Sequence, residues 1–271
     1  MIKSGYTLRF LVFVVYAIML IPIAIVVWLA FSESSIMQFP PSSYSLKWFA
    51  ELGNQTQMWN GFLYSIWLGA AAAIVATVLG TAAALATSGS SRRWVVILEG
   101  FFTGPLIIPG IVSGVALYIF LFQVATLTHL DLVPSFWSLL SAHVLITLPW
   151  AYRLIVAGLS GMPPNVERAS LNLGSTNWGT WMRVTLPLLK PSLIGALILT
   201  FIFSFADLEI SLFLVSPGAT TLPIAMVEYT YWRIDPVVAA MATIQVLLIG
   251  LLLLVSTRVL ELRKVLTNAA R

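Results

Sequence analysis

Long apolar runs, separated by short polar and charged stretches, dominate the chain. The first run covers 10–32 without a charged residue and is long enough to cross a bilayer, which takes about 20 apolar residues in a helix. It is too long for the apolar part of a typical signal peptide, and no small-x-small cleavage site follows it. The pattern predicts six transmembrane helices, at approximately 10–32, 61–87, 100–130, a segment beginning in 132–152, 189–214 and 236–257.

The third predicted span contains two Gly/Pro pairs, Gly104-Pro105 and Pro109-Gly110. Such pairs kink a helix and expose backbone carbonyls, which is tolerated in a membrane where the backbone faces protein or a cavity. We therefore expect a kink in this span, as a structural feature or as part of a ligand pathway.

The composition agrees with a membrane protein. Of the 271 residues, 59% are hydrophobic and 9% are charged, whereas a soluble domain has about 25% charged residues. We predict an all-α membrane protein, with residues 1–271 forming a single transmembrane domain. The chain has no cysteine, and its two histidines, His129 and His143, are far apart. The sequence therefore offers no catalytic residue set and no metal site.

Basic residues are distributed unevenly over the predicted loops. Lys47 and Arg233 fall on one side of the membrane, and the other twelve of the fourteen fall on or near the opposite side: Lys3, Arg9, Arg92, Arg93, Arg153, Arg168, Arg183, Lys190, Arg258, Arg263, Lys264 and Arg271. Because basic residues concentrate in cytoplasmic loops, we expect both termini and the loop 162–191 to lie in the cytoplasm.

The loop 162–191 is more than a connector between spans. Its first part carries a small, mostly apolar stripe with helical spacing, formed by Val166, Ala169, Ser170 and Leu173. Gly174 follows at the position where a left-handed C-cap ends a helix. Ser175 or Thr176 can cap a second helix, whose stripe is Trp178, Trp181, Met182 and Thr185. The pattern predicts two ordered helices on the cytoplasmic side, suited to docking another protein.

The fifth span carries two carboxylates, Asp207 and Glu209. Ionised residues inside a membrane are costly unless they face water, a partner or a substrate. On a regular helix the two would diverge, and Asp207 would share a face with Ser204 and Ser211. We expect Asp207, Ser204 and Ser211 to line a substrate pathway, with Glu209 nearer its outer mouth or against a neighbouring helix. Structural pairing with Arg153 or with a residue of a partner subunit is the alternative.

The loop contains Arg168-Ala169-Ser170, then Gly174, and then Val184-Thr185-Leu186-Pro187. This motif resembles the EAA loop of ABC importer permeases. It implies the type I ABC importer permease fold, with 162–191 as the coupling loop that contacts the ATPase. The coupling residues it implies are Glu167, Arg168, Ala169, Ser170, Leu173, Gly174, Leu186 and Pro187. Where the family has its glutamate, this chain has Arg168, and Glu167 precedes it by one place.

Further motifs are Phe136-Trp137-Ser138 with His143, Ser204-x-x-Asp207, and Asp235-Pro236. Together they resemble the second permease of the spermidine/putrescine subfamily. This resemblance implies import of a small cationic or zwitterionic amino compound, most of all a polyamine. An amino acid-like compound, an aminophosphonate, thiamine or iron remain alternative substrates. The family often has two adjacent acidic residues in span five, whereas this chain has Ala206 at the first position and adds Glu209.

The resemblance also implies the partners and the energy source. These are a homologous permease subunit in a heterodimer, two cytoplasmic ABC ATPases, a periplasmic or lipid-anchored solute-binding protein and the lipids of a bacterial inner membrane, with no nucleic acid. None of the lysines follows a glycine, so the chain lacks the phosphate-binding Gly-Lys-Ser/Thr motif. We expect ATP and Mg²⁺ to bind to the partner ATPase and no cofactor to bind here. An ion-coupled secondary transporter is the rival interpretation, but it leaves the docking loop unexplained.

Overall fold

The computed structural model describes residues 3–88, 92–163, 165–216 and 218–269; Arg271, one of the basic residues discussed above, lies outside them. Within these ranges the chain is helical, without named β-strands. In chain order the helices are α1 (Lys3–Leu29), α2 (Lys47–Glu51), α3 (Thr56–Ser88), α4 (Arg92–Thr103), α5 (Gly110–Thr128), α6 (Phe136–Ser160), α7 (Val166–Asn172), α8 (Asn177–Thr180), α9 (Leu186–Phe205), α10 (Leu222–Trp232) and α11 (Val237–Ala269).

The prediction of six transmembrane helices is confirmed. Within the described residues, six helical segments are long and apolar enough to cross a membrane: Thr7–Leu29, Thr56–Ser88, Gly110–Thr128, Phe136–Ser160, Asn177–Phe205 and Val237–Arg258. Their apolar side chains are widely exposed in the single chain, from Phe13 in the first to Leu254 in the last. Such surface suits lipid or neighbouring helices.

Two of the predicted spans differ from the observed helices. The third is interrupted rather than kinked, because α4 ends at Thr103 and α5 begins at Gly110, with a 3₁₀ turn at Gly104–Leu106 between them. Pro105 and Pro109 lack the N–H groups that would continue the helix. The fifth span was expected to reach 214, but α9 ends at Phe205.

The chain divides into two compact units. The first contains Met1–Trp59 and Ala225–Ile249. In it the Trp48 side chain is buried, and its indole Nε1 donates to the Ser32 carbonyl at 2.6 Å.

In the same unit, Asp235 caps the N-terminus of α11: its carboxylate accepts from the Val237 amide at 3.1 Å. Tyr229 donates its hydroxyl to the same carboxylate at 2.9 Å. Burial, followed by this hydrogen bond, raises the pKa of Tyr229 to about 12, so it remains a donor at physiological pH.

This unit also contains a cavity of about 690 Å³. Tyr231 and Trp232, at the end of α10, line it and are mostly exposed. Its other lining residues are Glu51, Asn54, Gln55, Gln57, Glu228, Tyr229 and Arg233. The Gln57 amide donates to Glu228.

The second unit contains Asn60–Ile224 and Gly250–Arg271. Helices α6 and α9 pack along each other there, and α3 lies against them. One buried cluster consists of Ala76, Ala83, Ala84, Ala151, Tyr152, Ile155, Leu189 and Ala196. Small residues allow helices to approach closely in lipid. At Gly80 of α3, an added Cβ would lie only 2.9 Å from the Tyr152 amide nitrogen, so this crossing admits no side chain.

A second buried cluster of the same unit supports the interrupted part of span five. Its members are Leu68, Ala72, Leu139, Leu140, Ala142, Ile210 and Leu214. The chain beyond α9 is therefore anchored by Ile210 and Leu214 against α3 and α6, although it is no longer a regular helix.

Candidate functional site

The fifth span stops being helical just before its carboxylates. The last backbone bonds run from the Ala206 amide to the Ile202 carbonyl at 3.1 Å and from the Asp207 amide to the Ser204 carbonyl at 3.3 Å. The chain becomes helical again only in a 3₁₀ turn at Ser211–Phe213. Interrupted helices are tolerated at membrane depth where their backbone lines a cavity or is buried in protein, and such interruptions are typical of substrate sites in transporters.

Asp207 lies in this interruption and is half-buried. Its Oδ2 accepts from the Ser211 amide at 3.3 Å and from the Ser211 hydroxyl at 3.1 Å. The expected proximity of Asp207 and Ser211 is therefore present, but it arises from a turn rather than from one helical face. The alternative partner Arg153 is not among the hydrogen-bond partners of Asp207 in the described part of the chain.

Ser204 and Ser211 are joined by a residue that the sequence had not assigned to the site. His143 of α6 is fully buried, its Nδ1 lying 2.7 Å from the Ser204 hydroxyl and its Nε2 2.9 Å from the Ser211 hydroxyl. The sequence analysis excluded His143 as a metal ligand and used it in the resemblance to the spermidine/putrescine subfamily, but gave it no role in the site. A polar side chain in an apolar span faces the bundle interior by default, and that consideration would have placed His143 in the interior without identifying Ser204 and Ser211 as its partners.

Glu209 points elsewhere and is exposed. A Cβ added to Gly110 would lie 2.5 Å from its Oε2 and 3.0 Å from its Cβ, so the side chain lies against the first residue of α5. A carboxylate is favoured at a helix N-terminus, where backbone N–H groups are free and the helix dipole is positive. The interruptions of spans three and five thus meet, with Asp207 and Glu209 directed to different partners.

The loop 162–191 forms the second candidate site. After α7, Gly174 has φ +87°, its amide donates to the Leu171 carbonyl at 2.9 Å, and the Ser175 amide donates to the Ser170 carbonyl at 3.2 Å. This pair of bonds is a Schellman motif, which requires the left-handed conformation that glycine adopts without strain. The prediction that Gly174 ends the first helix is confirmed.

Thr176 provides the cap of the next helix, one of the two residues proposed for that role. Its hydroxyl accepts from the Gly179 amide at 3.1 Å. The second helix is shorter than expected, because α8 ends at Thr180 and one π-helical turn, Trp181–Thr185, leads into α9. Leu186 and Pro187 open α9, where a proline needs no N–H donor.

Two side-chain contacts tie α7 to the end of α8 and to the π-helical turn that follows it. Glu167 accepts from the Thr185 hydroxyl at 2.6 Å, and the Ser170 and Thr180 hydroxyls lie 2.9 Å apart. Thr180 and Thr185 are buried. Glu167 is therefore held within the loop itself, whereas the neighbouring Arg168 and Ala169 are exposed.

The outer surface of this loop is apolar. Leu173 is 89% exposed and Trp178 64% exposed, and Leu171 and Met182 are exposed as well. An apolar surface on an ordered loop is typical of a protein-interaction site.

Comparison with known proteins relates this chain to membrane components of transport systems. Residues 76–265 match the family described as the binding-protein-dependent transport system inner membrane component. The putrescine transport system permease protein PotI of Escherichia coli K12 is 27% identical over 224 residues, which cover 82% of this chain and 79% of that protein. The spermidine/putrescine transport system permease protein PotC of Haemophilus influenzae is 29% identical over 236 residues, covering 87% and 89%.

A solved structure shares the fold. The bacterial ABC transporter involved in the import of the acidic polysaccharide alginate has a chain that superposes with a TM-score of 0.72 at 15% identity, covering 97% of this chain and 96% of that one. Six apolar spans, an ordered interhelical loop and this superposition define a multi-pass membrane protein with the type I ABC importer permease fold. The chain belongs to the binding-protein-dependent transport system inner membrane component family, and it is a permease component of an ABC importer.

Proposed function

We propose that this permease moves a small cationic or zwitterionic amino compound, most of all a polyamine, across a bacterial inner membrane. The names of PotI and PotC, whose matches cover most of this chain, state putrescine and spermidine/putrescine transport. An amino acid-like compound, an aminophosphonate, thiamine and iron are the competing substrates.

The observation that carries the proposal is the environment of the Asp207 carboxylate, that is, its position in the span and its hydrogen-bond donors. The carboxylate sits in an interrupted span, half-buried, and its hydrogen-bond donors in the described part of the chain are neutral: the N–H and O–H groups of Ser211 and the backbone N–H of Ile210. A carboxylate at membrane depth is stabilised by a positive partner. An ammonium group of the substrate would supply that charge during passage.

The exchange of Asp207 for Asn tests this role. A hydrogen bond to a charged group contributes about 1.5–3 kcal/mol, so Asp207→Asn should reduce transport of radiolabelled putrescine at low concentration by about 10- to 100-fold. Uptake would be measured with the complete importer in proteoliposomes. Asp131→Asn, the same exchange at an exposed loop residue, is the control. Unchanged transport by Asp207→Asn would end the assignment.

Competition in the same assay addresses the class of substrate. Spermidine, an amino acid and an aminophosphonate would each be added to labelled putrescine. Inhibition by compounds with an accessible amine, and loss of that inhibition in Asp207→Asn, would support an amine site. Equal inhibition of both proteins would argue that Asp207 does not select the substrate.

The proposed energy source is a pair of separate ATPase subunits that bind ATP and Mg²⁺ and dock on the loop 162–191. The support is the exposed apolar surface of that loop together with the absence of a Gly-Lys-Ser/Thr motif from the sequence. Glu167, Arg168, Ala169, Ser170, Leu173, Gly174, Leu186 and Pro187 form the coupling segment in this proposal. The family description adds dependence on a solute-binding protein, and a homologous permease would complete the pathway.

A further inference from the structure

We propose that His143 is a positioning residue for import: acting through Ser211, it fixes the Asp207 carboxylate in the interruption of span five and so sets the affinity for the amino group of the substrate. This inference rests on the proposed role of Asp207.

The contacts form one unbranched path across two helices. It runs from Ser204 at the end of α9 to His143 on α6 at 2.7 Å, from His143 to Ser211 at 2.9 Å, and from Ser211 to Asp207 at 3.1 Å. Ser204 is 3% exposed, and His143 and Ser211 are fully buried. Asp207 alone in this path is accessible, so the path ends at the group offered to a ligand.

With Asp207 ionised and His143 neutral, one arrangement of protons satisfies every side-chain contact. An ionised carboxylate is an acceptor only, so the Ser211 hydroxyl donates to Asp207. That hydroxyl has no second proton, so it accepts from His143 Nε2–H. A neutral imidazole with a proton on Nε2 has an acceptor at Nδ1, and the Ser204 hydroxyl donates to it. All three donors thus point along the chain toward the carboxylate.

The need for this support follows from the broken helix. Residues 206–210 do not form a regular helix, so the orientation of the Asp207 carboxylate depends on its bonds to the Ser211 amide and hydroxyl. The His143 side chain hydrogen-bonds to the chain on both sides of the interruption, at Ser204 and at Ser211. Buried polar groups without partners are unfavourable, and the two serines and the imidazole satisfy one another.

Two substitutions of His143 separate its two contacts. The amide of a glutamine reaches roughly where Nε2 lies, and that of an asparagine reaches roughly where Nδ1 lies. His143→Gln therefore keeps the contact with Ser211, whereas His143→Asn keeps only the contact with Ser204. In proteoliposomes with the complete importer, we expect His143→Asn and Ser211→Ala to raise KM for putrescine about tenfold with kcat within about twofold, and His143→Gln to stay near the wild-type KM.

Thr200→Val is the matched control. Thr200 is a fully buried hydroxyl residue of α9, but its hydroxyl donates to the Ala196 carbonyl of its own helix at 2.6 Å. It should leave KM unchanged. Recovery of each variant in the assembled complex checks folding. A uniform loss of assembly or of kcat in both His143 variants, without the split in KM, would overturn the positioning role.

Combination with Asp207→Asn distinguishes the two proposals. If Asp207→Asn raises KM but His143→Asn and Ser211→Ala do not, the positioning inference is wrong and the role of Asp207 stands. If Asp207→Asn itself leaves KM unchanged, both fall. If both stand, Ser211→Ala should add little to the KM of Asp207→Asn, because the contact it removes acts through that carboxylate.

Discussion

Gly174 determines where α7 ends within the loop 162–191. Its φ of +87° lies in the region that residues with a Cβ rarely adopt, and no atom lies within 4 Å of the position a Cβ would take. The requirement for glycine is therefore one of backbone conformation and not of space.

Gly174→Val should uncouple ATP hydrolysis from transport. A β-branched residue at positive φ costs roughly 1–3 kcal/mol, enough to open the Schellman turn and displace Leu173 and Trp178. We expect ATPase activity to persist while putrescine transport per ATP falls at least about fivefold, measured together in proteoliposomes. Gly100→Val is the control, because Gly100 lies within α4 with open space around it. Wild-type coupling in Gly174→Val would refute the docking role.

Residues differ in how far the sequence alone specifies them. Gly174 and Thr176 were predictable because helix caps are local, and the deciding contacts lie within five residues. His143 was not, because its partners Ser204 and Ser211 are 61 and 68 residues away. A lone histidine in an apolar run indicates a buried polar contact, but the sequence does not indicate with which residue.

Among the elements, the fifth span shows the limit of helical periodicity. The spacing of Ser204, Asp207 and Ser211 predicted one face of a helix, yet α9 ends at Phe205. Residues 206–210 contain no glycine or proline, so neither of these helix-breaking residues predicts the end of α9. The contacts of Ile210, of Glu209 with the start of α5, and of Ser211 with His143 are all long-range, and they override the local preference.

The link between α7 and the start of α9 gives a second test of coupling. Thr185→Val removes the hydroxyl that donates to Glu167 and leaves that carboxylate without this partner, at a cost of about 1–3 kcal/mol. Movement of α7 would then be transmitted less completely to span five. We expect ATP consumed per putrescine transported to rise about two- to fivefold.

Thr185→Ser is the conservative partner, since it retains the hydroxyl. It should restore the wild-type stoichiometry. If valine and serine give the same ratio, the contact between Glu167 and Thr185 does not transmit force.

At the scale of the whole molecule, hydropathy predicted the six spans, because transfer into lipid depends on composition over about 20 residues and not on tertiary detail. Hydropathy did not predict the interruptions of spans three and five. The one in span three had visible causes in Pro105 and Pro109, although the sequence suggested a kink and the structure shows separate helices. The orientation of the chain remains a prediction.

The lack of natural cysteines makes orientation straightforward to measure. Leu173→Cys and Tyr231→Cys each introduce one exposed thiol, at positions 89% and 78% exposed. A membrane-impermeant maleimide should label Tyr231→Cys in intact spheroplasts and Leu173→Cys only in inside-out vesicles. The unsubstituted chain is the blank. Labelling of Leu173→Cys from outside would invert the proposed topology and remove the docking surface from the ATPase.

The π-helical turn at Trp181–Thr185 has a further consequence for how such a surface evolves. A π turn holds about one residue more than an α turn, and each residue of an α-helix rotates the chain by roughly 100°. Losing a single residue there would let α8 and α9 merge smoothly while turning Trp178 and its neighbours to another bearing. A one-residue insertion or deletion at this point would therefore change the angle at which Trp178 faces relative to α9.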